Sequence, residues 1–210
     1  MRNSIFTTRG AQRRISSDSW FDEIEAGGYR AVIFDCDGTL VDSSAAHFRS
    51  VQVALRAQGH DMDSDWYAAR TGLDRQSIFQ TVANETSKTL DISRASRNSI
   101  ASFIDHSAAV LPIPETANLV RKLYGTYPMG VGTNAEFEVA NASLQAADLL
   151  QYFDHILSVS GGYAPKPAPD IFLAATTQLG FSASKTIVFE DSTEGVCAAL
   201  RAGLDVIKLI

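Results

Sequence analysis

The stretch AVIFDCDGT, residues 31–39, joins a short apolar run to two aspartates that are separated by one residue. A short apolar run bounded by turn-forming residues is typical of a strand that is buried on both faces. At the end of such a strand Asp35 and Asp37 point to one side and Cys36 points to the other. Because crowded carboxylates repel one another, this pair predicts either open water or a nearby positive charge.

Four later segments are also predicted strands. The first three are each followed by a loop and a helix, and the fourth lies at the carboxyl end. The predicted strands are PMGVGTN (128–134), HILSVS (155–160), TIVFED (186–191) and LDVIKLI at the carboxyl end. Alternating strands and helices predict an α/β fold with a doubly wound, parallel, five-stranded Rossmann-like core. Ligands of such sheets bind beyond the carboxyl ends of the strands, so we expect Asp35, Thr133 and Glu190 to meet in one site.

A second acidic pair, Glu190 and Asp191, ends the fourth predicted strand, which we expect beside the first. Four carboxylates in one crevice require a cation, and hard oxygen ligands suit Mg²⁺. The predicted metal ligands are Asp35, Asp37, Glu190 and Asp191. Taken alone, a DxD pair is equally well explained as a solvated turn.

Three loops add groups that suit a phosphate. Lys166 lies between two prolines in APKPAPD and can neutralise a phosphate or a nucleophile, although it can also be an ordinary surface lysine. Thr133 and Asn134 precede a predicted helix, where hydroxyl and backbone N–H groups can bind phosphate oxygens or simply cap the helix. Gly38 allows a sharp turn that exposes backbone N–H groups to an anion.

Two regions fall outside the alternating pattern. Residues 44–110 contain helical segments without strands, so we expect a helical cap inserted into a core made of residues 30–43 and 111–210. Residues 1–29 are assigned as an amino-terminal extension. Its first 17 residues, MRNSIFTTRGAQRRISS, are acid-poor like a transit segment, but a disordered extension, a vector remnant or a mis-assigned start is the preferred interpretation.

Composition limits the classes of function. The chain has 210 residues and a formal charge of −6, and the acid-free first 17 residues hold four of its 18 basic residues. The remaining body is therefore strongly acidic, which excludes general nucleic-acid binding. No apolar run is long enough for a membrane span and the start lacks a secretory signal, so we expect a cytoplasmic protein that binds no membrane. Two isolated cysteines predict buried thiols, not sulfur ligands.

The ordered segments DCDGT, VGTN, KPAPDIF and FEDSTEG resemble the four motifs of the haloacid dehalogenase superfamily of phosphatases and phosphomutases. The resemblance spans residues 31–210. The helical insert after the first motif is similar to the small cap of the subfamily that contains β-phosphoglucomutase and the fructose-1-phosphate and 6-phosphogluconate phosphatases. True dehalogenases lack the second acid and need no metal, and Lys88 does not match the Schiff-base lysine of the phosphonate-cleaving relatives.

This resemblance implies a role for each motif residue. Asp35 is the expected nucleophile that forms an aspartyl-phosphate, and Asp37 is the expected general acid and base. Thr133 and Lys166 are expected to hold the transferring phosphoryl group. Mg²⁺ is expected to be bound by Asp35, by the backbone carbonyl of Asp37 and by Asp191, with help from Glu190.

The insert is expected to select the substrate, a small phosphorylated metabolite. His47 matches a histidine found in both the mutase and the sugar-phosphate phosphatases, which in the mutase positions the acid, although a partly buried helix histidine explains it equally well. TGLDRQSIF (71–79), which contains the candidate substrate-binding residue Gly72, resembles the mutase substrate loop. Arg75 matches the arginine that binds the second phosphate there, but it can also be an ordinary charged residue early in an exposed helix. Glu136, however, occupies the position of a mutase lysine and would repel a bisphosphate. A sugar-phosphate phosphatase is therefore preferred over a mutase or a non-catalytic sensor, and the protein is expected to be a monomer or a weak dimer.

Overall fold

A computed structural model of the chain describes residues 1–70, 73–86 and 89–210. Its strands are β1 (Asn3–Thr7), β2 (Gln12–Ser16), β3 (Ala31–Phe34), β4 (Val41–Asp42), β5 (Leu111–Pro112), β6 (Met129–Thr133), β7 (His155–Ser158), β8 (Thr186–Glu190) and β9 (Asp205–Leu209). Its α-helices are α1 (Trp20–Ala26), α2 (Ser44–Arg56), α3 (Ser64–Ala68), α4 (Arg75–Glu85), α5 (Ile92–Asp105), α6 (Pro114–Leu123), α7 (Phe137–Ala146), α8 (Asp170–Leu179) and α9 (Thr193–Arg201).

The main sheet has the strand order β2-β1-β9-β8-β3-β6-β7. The five predicted strands are β3, β6, β7, β8 and β9, and all of them run parallel. Strand β8 lies beside β3, as the acidic pairs at their ends led us to expect. The predicted α/β fold with a Rossmann-like parallel core is confirmed, and the carboxyl ends of β3, β6 and β8 share one edge of the sheet.

Alternate residues of β3 enter different apolar clusters. Val32 and Phe34 belong to the larger cluster, whereas Ala31 and Ile33 belong to the smaller one. All four side chains are fully buried. Because side chains alternate along a strand, a continuous apolar run is what a sheet covered on both faces requires.

The helical insert, defined here as α2 to α5, follows β3 and the short strand β4. Its helices enclose an apolar cluster of their own that includes Leu55, Ile78 and Phe79. Strands β4 and β5 pair antiparallel where the chain enters and leaves the insert. Within the described residues, no helix is long and apolar enough to cross a membrane.

The amino-terminal segment differs from the expectation. Strand β1 pairs antiparallel with β9 and with β2, so residues 3–16 add two strands to the sheet. The prediction of a disordered extension is wrong for this segment. The physical reason is that β1 satisfies the exposed edge of β9 and buries Phe6, while Trp20 of α1 packs edge-on against Phe189 with ring centroids 5.3 Å apart.

Candidate active site

A cavity of about 410 Å³ lies at the carboxyl ends of β3, β6 and β8, below the helical insert. The predicted site residues among those described all line it: Asp35, Asp37, Gly38, His47, Arg75, Thr133, Asn134, Lys166, Glu190 and Asp191. Gly72, also predicted, lies outside the described residues. The volume is in the range of cavities that hold small organic ligands.

A buried lysine links the first and fourth motifs. The Nζ atom of Lys166 donates to Asp35 Oδ1 at 2.5 Å and to Glu190 Oε2 at 2.7 Å. Burial would lower the pKa of Lys166, but the two carboxylates outweigh burial and raise it. Lys166 is therefore a fixed positive charge in the cavity floor and not a surface lysine.

Glu190 is saturated with hydrogen bonds. Its Oε1 atom accepts from the backbone N–H groups of Asp191 and Ser192 and from the hydroxyl of Ser192. A Cβ atom on Gly195, in the first turn of α9, would lie only 1.9 Å from Glu190 Oε2, so a side chain at that position would displace the Glu190 carboxylate. Glu190 thus acts as a rigid support for Lys166 and for the loop that carries Asp191.

Asp191 has fewer partners than Glu190. It accepts a hydrogen bond from Thr39 at 3.3 Å. Gly38 has a φ of +84°, and a Cβ atom there would lie 2.2 Å from Asp191 Oδ2. Gly38 therefore supports both the left-handed turn and the close approach of Asp191 to the loop after β3.

Oxygen atoms of Asp35, Glu190 and Asp191 lie within 4.8 Å of one another. Burial, followed by the charge of Glu190, raises the pKa of Asp35 well above its usual range and that of Asp191 to about 6. The cluster therefore has more negative charge than Lys166 balances. An acidic oxygen cluster with such a deficit fits a divalent cation such as Mg²⁺.

Asp37 faces a different group from Asp35. His47 Nε2 lies 3.0 Å from Asp37 Oδ1, and the Ser43 hydroxyl donates to the same oxygen. Burial would raise the pKa of Asp37, but the interactions with His47 and Ser43 outweigh burial and lower it. His47 itself packs on Phe103, with ring centroids 4.5 Å apart, so the Asp37–His47 pair is held in place by the insert.

The second motif, VGTN, contacts the third motif, KPAPDIF, through hydrogen bonds. The side-chain amide of Asn134 accepts from the backbone N–H of Lys166 at 2.8 Å and donates to its carbonyl at 3.3 Å. The hydroxyl of Thr133 accepts from the backbone N–H of Ala135 at 3.0 Å. Asn134 therefore positions Lys166, and its contact with substrate remains a prediction.

Arg75 and Glu136, which the sequence treats as opposing signals, contact each other. Arg75 Nε lies 3.0 Å from both carboxylate oxygens of Glu136. Arg75 is the first residue of α4 in the insert, whereas Glu136 precedes α7 on the core sheet. Their pairing crosses the cavity from the insert to the core.

Sequence reasoning missed several residues that shape the site. They are Ser43, Tyr67, Ser192 and Gly195, which orient or make room for the acidic side chains or line the cavity. Ser43 lies four residues before His47, so its place one turn away could have indicated a shared partner. Tyr67 carries no such signal, because its position depends on how the insert packs.

Residues 32–209 match the family model described as haloacid dehalogenase-like hydrolase. The chain belongs to this family. Since that match covers most of the chain and its relatives include phosphatases, the chain is a phosphomonoester hydrolase of the family.

Several known proteins resemble this hydrolase along most of its length. Fructose-1-phosphate phosphatase YqaB of Escherichia coli is 31% identical over 184 residues, which cover 86% of this chain and 96% of the relative. Validoxylamine A 7'-phosphate phosphatase of Streptomyces hygroscopicus subsp. limoneus is 28% identical, with 84% and 83% covered. CbbY of Rhodobacter sphaeroides, solved in complex with phosphate, is 24% identical with a TM-score of 0.79, covers 85% and 84%, and supports the fold alone.

Proposed function

We propose that this hydrolase is a Mg²⁺-dependent phosphatase that removes the phosphate from a small sugar phosphate through an aspartyl-phosphate on Asp35. The observation that carries the proposal is the meeting, in one cavity, of a lysine-paired Asp35 and a histidine-paired Asp37. Two carboxylates in different environments suit two different roles.

In the first step, a carboxylate oxygen of Asp35 attacks phosphorus and the bond from phosphorus to the ester oxygen breaks. Asp37 donates a proton to that leaving oxygen, which departs as the sugar hydroxyl. The lowered pKa of Asp37 in the free protein favours its ionised form. A phosphate dianion entering the cavity adds like charge beside Asp37, which raises its pKa and favours the acid form.

In the second step, Asp37 accepts a proton from water, and the water oxygen attacks phosphorus. The bond from phosphorus to Asp35 breaks, so the carboxylate is regenerated and inorganic phosphate is released. In the free protein the interactions with His47 lower the pKa of Asp37 and favour its ionised form, which supports its role as the base. Lys166 stays beside Asp35 throughout and faces the negative charge that develops on the phosphoryl oxygens.

Asp35, Asp191 and the backbone carbonyl of Asp37 would hold Mg²⁺, with Glu190 as a neighbouring support. The ion would neutralise phosphoryl oxygens and orient the phosphate, as divalent ions do in phosphoryl transfer. Glu190 is the weakest candidate ligand of the set, because its oxygens already accept four hydrogen bonds.

The proposed enzyme has two parts. Residues 30–43 and 111–210 would form the catalytic core, and residues 44–110 would act as a cap that closes over substrate. The separate apolar cluster of the insert and the β4–β5 pairing at its base support this division. Closure would exclude water other than the attacking molecule and keep His47 against Asp37.

A phosphomutase of the β-phosphoglucomutase type is the second candidate, and it is favoured by the presence of Arg75 in the cavity wall. Its intermediate would carry two phosphates. The pairing of Arg75 with Glu136 leaves this guanidinium neutralised, which supports the phosphatase. The phosphatase names among the curated relatives support the same choice.

A paired assay with Mg²⁺ tests the proposal. Phosphate release is measured from a panel of sugar monophosphates that includes fructose 1-phosphate, beside conversion of β-glucose 1-phosphate to glucose 6-phosphate with a bisphosphate primer. We expect release without isomer formation. Isomer formation without net release would establish the mutase.

The variant Asp35→Asn separates an enzyme from a sugar-phosphate sensor. It should lower turnover by at least about a thousandfold, because the amide cannot act as the nucleophile. Phosphate binding, measured by calorimetry, should persist. A variant that kept full turnover would contradict the aspartyl-phosphate mechanism.

A further inference from the structure

An ion pair joins the helical insert to the core sheet inside the cavity. Arg75 and Glu136 are 61 positions apart in the sequence, and Arg75 Nε lies 3.0 Å from each carboxylate oxygen. The side chains are only 5% and 18% exposed. The electrostatic attraction within an ion pair that is this well shielded from water is stronger than the attraction within an exposed surface pair.

The insert holds the Arg75 guanidinium from the other side. Its Nη1 atom donates to the Ser99 hydroxyl on α5, which in turn donates to Ser50 on α2. Asp74 caps α4 directly before Arg75 by accepting from the backbone N–H of Ser77. The guanidinium therefore has a defined position, with Glu136 as the partner that the core sheet contributes.

Negative side chains outnumber positive ones along the described cavity wall. Three side chains there can carry positive charge, namely His47, Arg75 and Lys166, and each already contacts a carboxylate that lines the same cavity. Asp191 and Glu194 add further negative charge. The Lys166 end can accept one phosphate once a divalent cation is bound, whereas a second phosphate would meet Glu136 beside Arg75.

We propose that Glu136 is a specificity-determining residue: by holding Arg75 in this pair it restricts the substrate to a single phosphate group. This inference rests on the proposed phosphatase function and names its substrate class. The leaving group then carries no second phosphate. Like charge beside a second phosphate should lower the affinity for a bisphosphate by at least about tenfold.

The fold by itself does not impose this restriction. CbbY of Rhodobacter sphaeroides, at 23% identity and a TM-score of 0.78, has been solved in a variant form with xylulose-1,5-bisphosphate bound. A bisphosphate can therefore bind within this architecture. The restriction in the present chain must come from its own side chains, of which Glu136 is the one that neutralises Arg75.

The test compares kcat/KM for the best sugar monophosphate of the panel with that for its bisphosphate, such as fructose 1-phosphate and fructose 1,6-bisphosphate. The native protein should prefer the monophosphate by at least about tenfold. Glu136→Gln keeps the shape of the side chain but removes the negative charge that neutralises Arg75. It should therefore reduce the ratio of kcat/KM for the monophosphate to that for the bisphosphate by about tenfold. The matched control is Glu138→Gln, an exposed glutamate two residues further along α7, which should leave the preference unchanged.

A double variant shows whether the gain depends on Arg75. In Glu136→Gln with Arg75→Gln the improved use of bisphosphate should disappear, because no guanidinium remains to bind it. An unchanged preference in Glu136→Gln, or equal use of both substrates by the native protein, would overturn the inference. Failure to hydrolyse any monophosphate would instead overturn the proposed function, so the two outcomes are distinguishable.

Discussion

The two walls of the cavity are built differently. The core wall consists of charges at strand ends, where Lys166 is nearly inaccessible and bridges Asp35 and Glu190. The wall formed by the insert presents Arg75 and the ring of Tyr67, and the pairs Arg75–Glu136 and His47–Asp37 join it to the core wall. In the proposed enzyme, the core wall would perform the chemistry and the wall formed by the insert would select the substrate.

This difference predicts that substitutions in the core wall, and substitution of His47, which contacts Asp37 of that wall, reduce turnover. Other substitutions in the insert wall should mainly alter KM or specificity. The reason is that, in the proposed mechanism, the core groups would face the reacting phosphorus and the insert groups would face the rest of the substrate. The four predictions below test the comparison in order of decreasing effect on activity.

Lys166→Met should have the largest effect. It should lower kcat by about 10²–10³-fold, because it removes the positive charge that faces the phosphoryl group. It should also lower the free energy of unfolding by about 3–5 kcal/mol, since Asp35 and Glu190 would be left buried without their cation. Kinetics and urea unfolding measure both effects. Lys185→Met, at an exposed lysine, is the control, and equal losses in both variants would contradict the assignment.

Asp191→Asn should separate metal binding from stability. Activity with Mg²⁺ should fall by about a hundredfold, because a carboxylate ligand is lost. The metal-free protein should become more stable at pH 7.5 by about 1–2 kcal/mol, because burial, followed by the charge of Glu190, raises the pKa of Asp191 to about 6 and so disfavours its charged form.

The pH dependence of that gain follows from the sign of the shift. The folded protein binds a proton at Asp191 more readily than the unfolded chain does, so its free energy of unfolding increases as the pH falls through about 6. The advantage of Asp191→Asn should therefore shrink by pH 5. Urea unfolding with a chelator measures it, and Asp105→Asn, at an exposed aspartate that ends α5, is the control. If the metal-free Asp191→Asn variant were less stable than the native protein, the raised pKa of Asp191 could not be a source of instability.

His47→Gln should lower kcat by about tenfold, a smaller effect because His47 acts through Asp37. The pKa of the Asp37 carboxyl should rise, since the interactions with His47 that outweigh burial are weakened. A carboxyl-carbon NMR titration measures the pKa directly. His106→Gln, on the exposed end of α5, should change neither quantity, and an unmoved Asp37 titration in His47→Gln would remove His47 from this role.

Tyr67→Phe should have the smallest effect. Burial raises the pKa of Tyr67 to about 12, so its phenol stays protonated and can donate to a substrate hydroxyl. Loss of one such hydrogen bond should raise KM by about fivefold with little change in kcat. Tyr124→Phe, at an exposed tyrosine, is the control. A fall in kcat instead of a rise in KM would place Tyr67 with the core wall.

The sequence by itself determined the parallel core and the edge at which the acids meet. Apolar runs followed by polar residues indicated β3, β6 and β8, and parallel strands in one sheet necessarily bring their carboxyl ends to the same side. Asp35, Thr133 and Glu190 could therefore be assigned to one cavity before any contact was known. These assignments depend on local patterns and on the handedness of strand connections, which sequence expresses directly.

Only the tertiary structure decided the pairings between distant segments. The amino-terminal hairpin joins β9 because that edge needs hydrogen-bond partners, Asn134 holds the backbone of Lys166, and Glu136 holds Arg75. No local periodicity encodes such contacts, since each depends on where the insert and the loops come to rest on the sheet. For that reason Arg75 and Glu136 are opposing signals in the sequence and a single ion pair in the folded protein.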